Sequence, residues 1–137
     1  TSLFDDRPDV NYPIIADTSM DIAKLFDMIH PNANPNESAF GIKHKATIRS
    51  VFIIDAEKKI QTILTYPMHV GRNFDEILRV IDSMQLTAEH KVATPVNWKQ
   101  GEDVIIVPSV SNEEAAKIYP DGWDTVKPYL RKVKQPS

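Results

Sequence analysis

Apolar positions along this chain follow two periods. Ile22, Leu25, Phe26 and Ile29 fall at i, i+3, i+4 and i+7, which predicts a helix with one buried face. Thr18 followed by Asp21 marks its start, and Pro31 should end it. The same spacing returns at Phe74, Ile77, Leu78 and Ile81, with Asn73 as the cap and Glu76 at the third helical position. That second helix is predicted to run to about Leu86. Between the two, Thr47–Asp55 is rich in β-branched residues, and its centre Val51-Phe52-Ile53-Ile54 is continuously apolar. Such a run predicts a strand buried on both faces. Ile60–Tyr66 alternates, with Ile60, Leu64 and Tyr66 on one side and Gln61, Ile63 and Thr65 on the other; Thr62 is the polar exception on the first side. The short polar link Ala56-Glu57-Lys58-Lys59 makes the two strands an antiparallel hairpin.

Elsewhere the pattern is interrupted. The start is acidic and irregular, followed by the short apolar run Tyr12–Asp17, and Asn32–His44 reads as a long polar surface loop. Beyond Thr87 the segments shorten. Val92–Trp98 is extended and broken by Pro95, Val104–Val107 is a strand, and Ser111 with Glu114 opens a short helix through Tyr119. Pro120-Asp121-Gly122 is a turn, and the tail carries Tyr129-Leu130-Arg131. Taken alone, this last part looks too small for a core of its own. It is expected to pack on the preceding part, on another subunit, or on both. Trp98 and Trp123 are the expected anchors, Trp98 at a partner surface and Trp123 either there or within the chain.

Composition narrows the function classes. The chain has 137 residues, an apolar fraction of 42%, a charged fraction of 26% and a net charge of −3, so no basic footprint points to nucleic acid. No apolar run approaches the ~20 residues of a membrane span. The N-terminal residues Thr1–Arg7 lack the basic and apolar regions of a signal peptide, so a cytoplasmic location is expected. His30, His44, His69 and His90 are too dispersed for a zinc pair, and neither a metal nor a cofactor is expected. There is no cysteine.

Three stretches carry a family resemblance: Tyr66-Pro67, then Gly71-Arg72-Asn73-Phe74-Asp75-Glu76-Ile77-Leu78-Arg79-Val80, then Gln85-Leu86-Thr87 through Val92-Ala93-Thr94-Pro95-Val96-Asn97-Trp98. Together they resemble the 1-Cys peroxiredoxins, thiol peroxidases built on a thioredoxin-like fold. The likeness extends from Tyr12-Pro13-Ile14-Ile15 to Tyr129-Leu130-Arg131. It implies an α/β class: a partial thioredoxin-like peroxiredoxin fold over residues 1–86, and a small 1-Cys-type C-terminal dimerisation domain over 87–137.

What the resemblance implies about chemistry centres on two arginines. In the family, a peroxidatic cysteine at a helix N-terminus sits in a Pro-x-x-x-Thr-x-x-Cys motif supported by two arginines from later in the chain. The matching positions here are Arg49 and Arg72. By resemblance Arg49 would bond the thiolate and the peroxide oxygen, and Arg72 would hold that arrangement in place. Read without the resemblance, Arg49 is a strand-end arginine reaching for solvent. Arg72 is a cation at a helix N-terminus, where the macrodipole disfavours it, with Asp75 and Glu76 as neutralising neighbours.

The cysteine motif itself is absent, so the chain alone is expected to be inactive as a thiol peroxidase. It reads either as the latter part of an enzyme that reduces hydrogen peroxide and organic hydroperoxides with a thiol reductant, or as a non-catalytic dimerisation or interaction module. A homodimer is expected in either case, and so is marginal stability, because an unpaired edge on the buried strand would be an apolar template. A phospholipase-like activity described for some members would place Glu57 at its acidic position, but beside Lys58 and Lys59 Glu57 reads as a solvated hairpin residue. His69 precedes Arg72 and reads as a surface-loop histidine.

Overall fold

A computed structural model of the chain describes residues 11–29 and 47–137, which divide between two compact units, Thr1–Gly71 and Arg72–Ser137. The expected Asn32–His44 loop lies outside the described residues, as do His30, Pro31 and the irregular start.

In the first unit, helix α1 is Asp21–Leu25, much shorter than its apolar spacing predicts. Asp17 caps it rather than Thr18: its two carboxylate oxygens accept the backbone N–H groups of Ile22 and Ala23 at 3.2 and 2.8 Å. The helix ends before any proline. Asp27 turns left-handed at φ 51°, its N–H reaches the Lys24 carbonyl at 3.1 Å, and the Met28 N–H reaches Ala23 at 2.8 Å. That pair of bonds is a Schellman ending, formed here on Asp instead of the usual Gly. So short a helix buries Ala23 and leaves Leu25 79% exposed, which undoes the predicted face.

Strands β1 (Arg49–Ile54) and β2 (Ile60–Tyr66) form the expected antiparallel hairpin, with Arg49 opposite Tyr66 and Val51 opposite Leu64. Asp55 shapes the turn by accepting the Lys59 N–H at 2.9 Å, while Lys58 takes the left-handed position at φ 64°. β2 keeps its period of two, burying Thr62, Leu64 and Tyr66 in part while its other positions are exposed. β1 departs from expectation: it is half-buried, not buried on both faces, and Ile54 is exposed. Among the described residues β1 pairs only with β2, which leaves one edge unpaired. Phe26 packs its ring against Phe52 at 4.9 Å between centroids.

The second unit begins with helix α2, Phe74–Glu89, longer than the predicted end at Leu86. Asn73 caps it as predicted, its side-chain oxygen accepting the Glu76 N–H at 3.3 Å. The predicted stripe is only partly buried. Ile77 is inside, whereas Phe74 and Leu78 are 69% and 59% exposed. Strands β3 (Val92–Ala93), β4 (Val104–Ile106), β5 (Asp124–Lys127) and β6 (Leu130–Val133) make an antiparallel sheet of order β3-β4-β6-β5. Helix α3, Asn112–Ile118, opens at Ser111, whose hydroxyl accepts the Glu114 N–H at 3.1 Å.

This unit overturns the expectation that the C-terminal part lacks a core. Val92, Trp98, Val104, Ile106, Val110, Ala115 and Val133 form one buried cluster, with Leu86 of α2 packed against it. Cross-strand partners supply its floor, Val92 facing Ile106 and Val104 facing Val133. Trp98 is 1% exposed, and its indole N–H donates to the Glu102 carbonyl at 3.1 Å. It is a core residue, not a surface anchor; Trp123 is partly buried against the same cluster. Because α2 joins that cluster, compactness divides the chain at Gly71/Arg72, ahead of the residue 86 boundary expected from the sequence.

Candidate functional site

Arg49 is the first residue of β1 and is half-buried. Its strand neighbour Ser50 lies across from Thr65, the two hydroxyl oxygens 3.3 Å apart. The Arg49 side chain has no hydrogen bond or ion pair with another described residue. A guanidinium in this state keeps all five donors available.

Arg72 stands in the second unit, exposed, immediately before the Asn73 cap. The positive end of a helix of this length repels a cation there. The neutralising neighbours expected from the sequence do not serve it. Glu76 is taken by Arg79, whose Nε and Nη2 donate to its two carboxylate oxygens at 2.6 and 2.8 Å. Those bonds hold the Glu76 carboxyl below its usual pKa and raise that of Arg79. Asp75 makes no ion pair with a described residue, so Arg72 has no anionic partner among them.

Between β2 and Arg72 the chain makes one turn, in which the Val70 N–H donates to the Pro67 carbonyl at 2.9 Å. His69 is exposed there, as the surface-loop reading expects. Glu57 is likewise exposed and paired with Lys59 at 2.6 Å in the hairpin turn. A groove of ≈ 470 Å³ runs along α2, walled by Asn73, Glu76, Arg79, Asn97 and Lys99. Neither Arg49 nor Arg72 lines it, and two of the charged groups that do, Glu76 and Arg79, are paired with each other. Among the described residues no group of three or more His, Asp and Glu could hold a metal ion.

The chemistry these residues offer is electrostatic. Each arginine by itself keeps donors that can stabilise an anion, and the chain holds no thiol. Sequence reasoning missed one unusual group. Arg131 on β6 is 6% exposed and donates to Asn112 Oδ1 at 2.8 Å and to the carbonyls of Val107 and Val110 at 3.2 and 2.6 Å. It ties β6 to the loop that leads into α3, a structural task rather than a reactive one. The only signal was its place in the short run Leu130-Arg131-Lys132-Val133, where an inward arginine cannot be told from an outward one.

Comparison with known proteins gives a consistent set. A family model described as the C-terminal domain of 1-Cys peroxiredoxin matches residues 83–122. The 1-Cys peroxiredoxin of Dictyostelium discoideum is 47% identical over 128 residues, covering 93% of this chain and 49% of that protein. The mitochondrial peroxiredoxin of Saccharomyces cerevisiae is 49% identical over 125 residues, covering 91% of this chain and 46% of that protein. The crystal structure of a cysteine-to-serine mutant of Peroxiredoxin 6 from Arenicola marina matches with a TM-score of 0.78 at 42% identity, over 96% of this chain and 59% of that one. The chain thus spans about half the length of the curated relatives it matches. Its α/β fold is the one these structures share.

Proposed function

The chain belongs to the 1-Cys peroxiredoxin family, and we propose that its residues form the electrostatic part of a thiol peroxidase that reduces hydrogen peroxide and organic hydroperoxides in antioxidant defence. The observation that carries this reading is Arg72, an exposed cation held against a helix dipole without an anionic partner among the described residues. A residue kept against its local preference is explained by a site that needs it. In this proposal Arg49 donates to a cysteine thiolate and to the peroxide oxygen that it attacks, stabilising charge as the O–O bond breaks. Arg72 holds that arrangement in place. Thiolate attack leaves a sulfenic acid, which a thiol reductant returns to thiol.

No cysteine is in this sequence, so the chain alone carries no such cycle. Its peroxide and thiol partners are those of the complete enzyme, in a cytoplasmic setting. We assign residues 1–86 to the latter part of the thioredoxin-like domain and 87–137 to the C-terminal domain; the matched span 83–122 supports the second assignment. The absence of cysteine also favours a second reading, a dimerisation or interaction module without chemistry.

Peroxide consumption separates the two. With dithiothreitol, the purified chain should consume hydrogen peroxide no faster than buffer. Adding the cysteine-bearing N-terminal half of a 1-Cys peroxiredoxin should restore turnover, and Arg49→Ala should remove most of what is restored. Turnover by the chain alone, or restored turnover indifferent to Arg49→Ala, would refute the electrostatic role. A complex that forms without turnover would favour the module.

Self-association is a separate expectation. Sedimentation at micromolar concentration should show a species near twice 15.5 kDa. A clean monomer would remove the homodimer from the proposal.

A further inference from the structure

We propose that Arg79 is a positioning residue for Arg72: by holding both carboxylate oxygens of Glu76, it turns that acid away from the start of α2 and leaves the Arg72 guanidinium uncommitted. The inference rests on the role given to Arg72 above, and its observations all lie on one helix. Glu76 stands at the third helical position, from which a glutamate commonly bends back to the backbone N–H of the capping residue and closes a capping box. Here only half of that box forms. Asn73 Oδ1 accepts the Glu76 N–H at 3.3 Å, but no bond returns from the Asn73 N–H to the Glu76 carboxylate. The carboxylate turns the other way along the helix, where its two oxygens accept Nε and Nη2 of Arg79 at 2.6 and 2.8 Å.

The helix dipole by itself favours the opposite arrangement, since the positive end of α2 draws a carboxylate toward Asn73. Arg72 is the residue bonded to Asn73, and its side chain is long. A Glu76 carboxylate seated in the box would therefore lie beside Arg72 and pair with it. The fork of Arg79 prevents this, because two charge-assisted bonds outweigh one bond to a neutral backbone N–H. The pair is also half-buried, with Arg79 28% and Glu76 39% exposed at the side chain, whereas Arg72 is exposed. Ions screen a partly buried pair less than an exposed one, so Glu76 stays with Arg79. Arg72 keeps its donors as a consequence.

The test labels the chain with phenylglyoxal and reads the adduct on each arginine by peptide mass spectrometry. Labelling consumes the neutral guanidine, which a neighbouring carboxylate disfavours. Arg79→Gln should slow labelling of Arg72 roughly twofold, the size of an ion pair between exposed neighbours on a helix. Adding Glu76→Gln to that variant should restore the native rate. Glu76→Gln alone should leave the rate unchanged, because Glu76 does not serve Arg72 in the native chain. A merely structural role for Arg79 would loosen α2 and speed labelling instead. Turnover restored by the cysteine-bearing N-terminal half of a 1-Cys peroxiredoxin should follow the same order, falling with Arg79→Gln and recovering in the double variant. An Arg72 rate unmoved by Arg79→Gln, a slowing that Glu76→Gln does not reverse, or a loss of turnover that the double variant retains would each overturn the proposal. Restored turnover indifferent to Arg72→Ala would instead overturn the reading on which the proposal rests, and the labelling rates separate that failure from one of Arg79.

Discussion

Replacing Arg131 by alanine is expected to cost the second unit roughly 3–5 kcal/mol, since each buried acceptor left without its donor costs about 1–3 kcal/mol. This one guanidinium reaches Asn112 Oδ1 and the carbonyls of Val107 and Val110; the Val107 carbonyl also accepts the Val110 N–H at 3.1 Å, so the loss falls on Asn112 and on the buried Val110 carbonyl. The two carbonyls belong to the loop between β4 and α3, and Asn112 is the first residue of α3. Loss of the guanidinium therefore frees the loop as well as the helix start. No carboxylate balances the charge among the described residues, so its burial rests on these hydrogen bonds alone. A planar fork is what allows one side chain to reach all three acceptors. Arg131→Lys keeps the charge but replaces the fork by a compact ammonium, and should recover less than half of the loss. Urea titration followed by circular dichroism measures both variants. A cost below about 1 kcal/mol for Arg131→Ala, the value of an ordinary hydrogen bond, would mean that water reaches these acceptors.

Legibility in the sequence followed the strength of local signals. The hairpin was readable because β-branched residues and a polar turn leave one pairing, and Ile60–Tyr66 forms the predicted strand. Asn73 and Ser111 were readable because a cap needs only its own side chain and an N–H in the next turn. α1 was over-read, since apolar spacing says nothing of a left-handed Asp27. β5 and β6 were missed because Asp124-Thr125-Val126-Lys127 is exposed at each position and β6 turns an arginine inward. The outer strand β5 follows the neighbour it pairs with, not a hydrophobic pattern of its own. Arg49 and Arg72 became visible as site candidates only through family likeness. No periodicity distinguishes an arginine aimed at chemistry from one aimed at water.

Trp98 is where the reading of the sequence and the structure part most clearly, and its substitution measures the difference. Aromatic residues in a short terminal unit suggest interface anchors, yet this indole is the largest fully buried side chain described. It sits with Val92, Val104, Ile106, Val110 and Val133, and its N–H is satisfied by Glu102 within the same loop. Trp98→Ala removes that volume from a cluster whose other members are mostly valine and alanine, with few long side chains to fill the space. The expected loss is about 3–5 kcal/mol, the range for aromatic-to-alanine changes in packed cores. Domains hold only about 5–15 kcal/mol in all, so the second unit should be close to unfolding in the variant. Trp123 remains as a fluorescent reporter, so urea titration can be read by emission as well as by circular dichroism. Trp98→Phe, which keeps most of the ring surface and gives up the bond to Glu102, should lose less than half as much. A surface anchor would behave differently: Trp98→Ala would leave the urea midpoint in place and weaken self-association instead. A shifted midpoint, independent of protein concentration, assigns Trp98 to the core of its own chain.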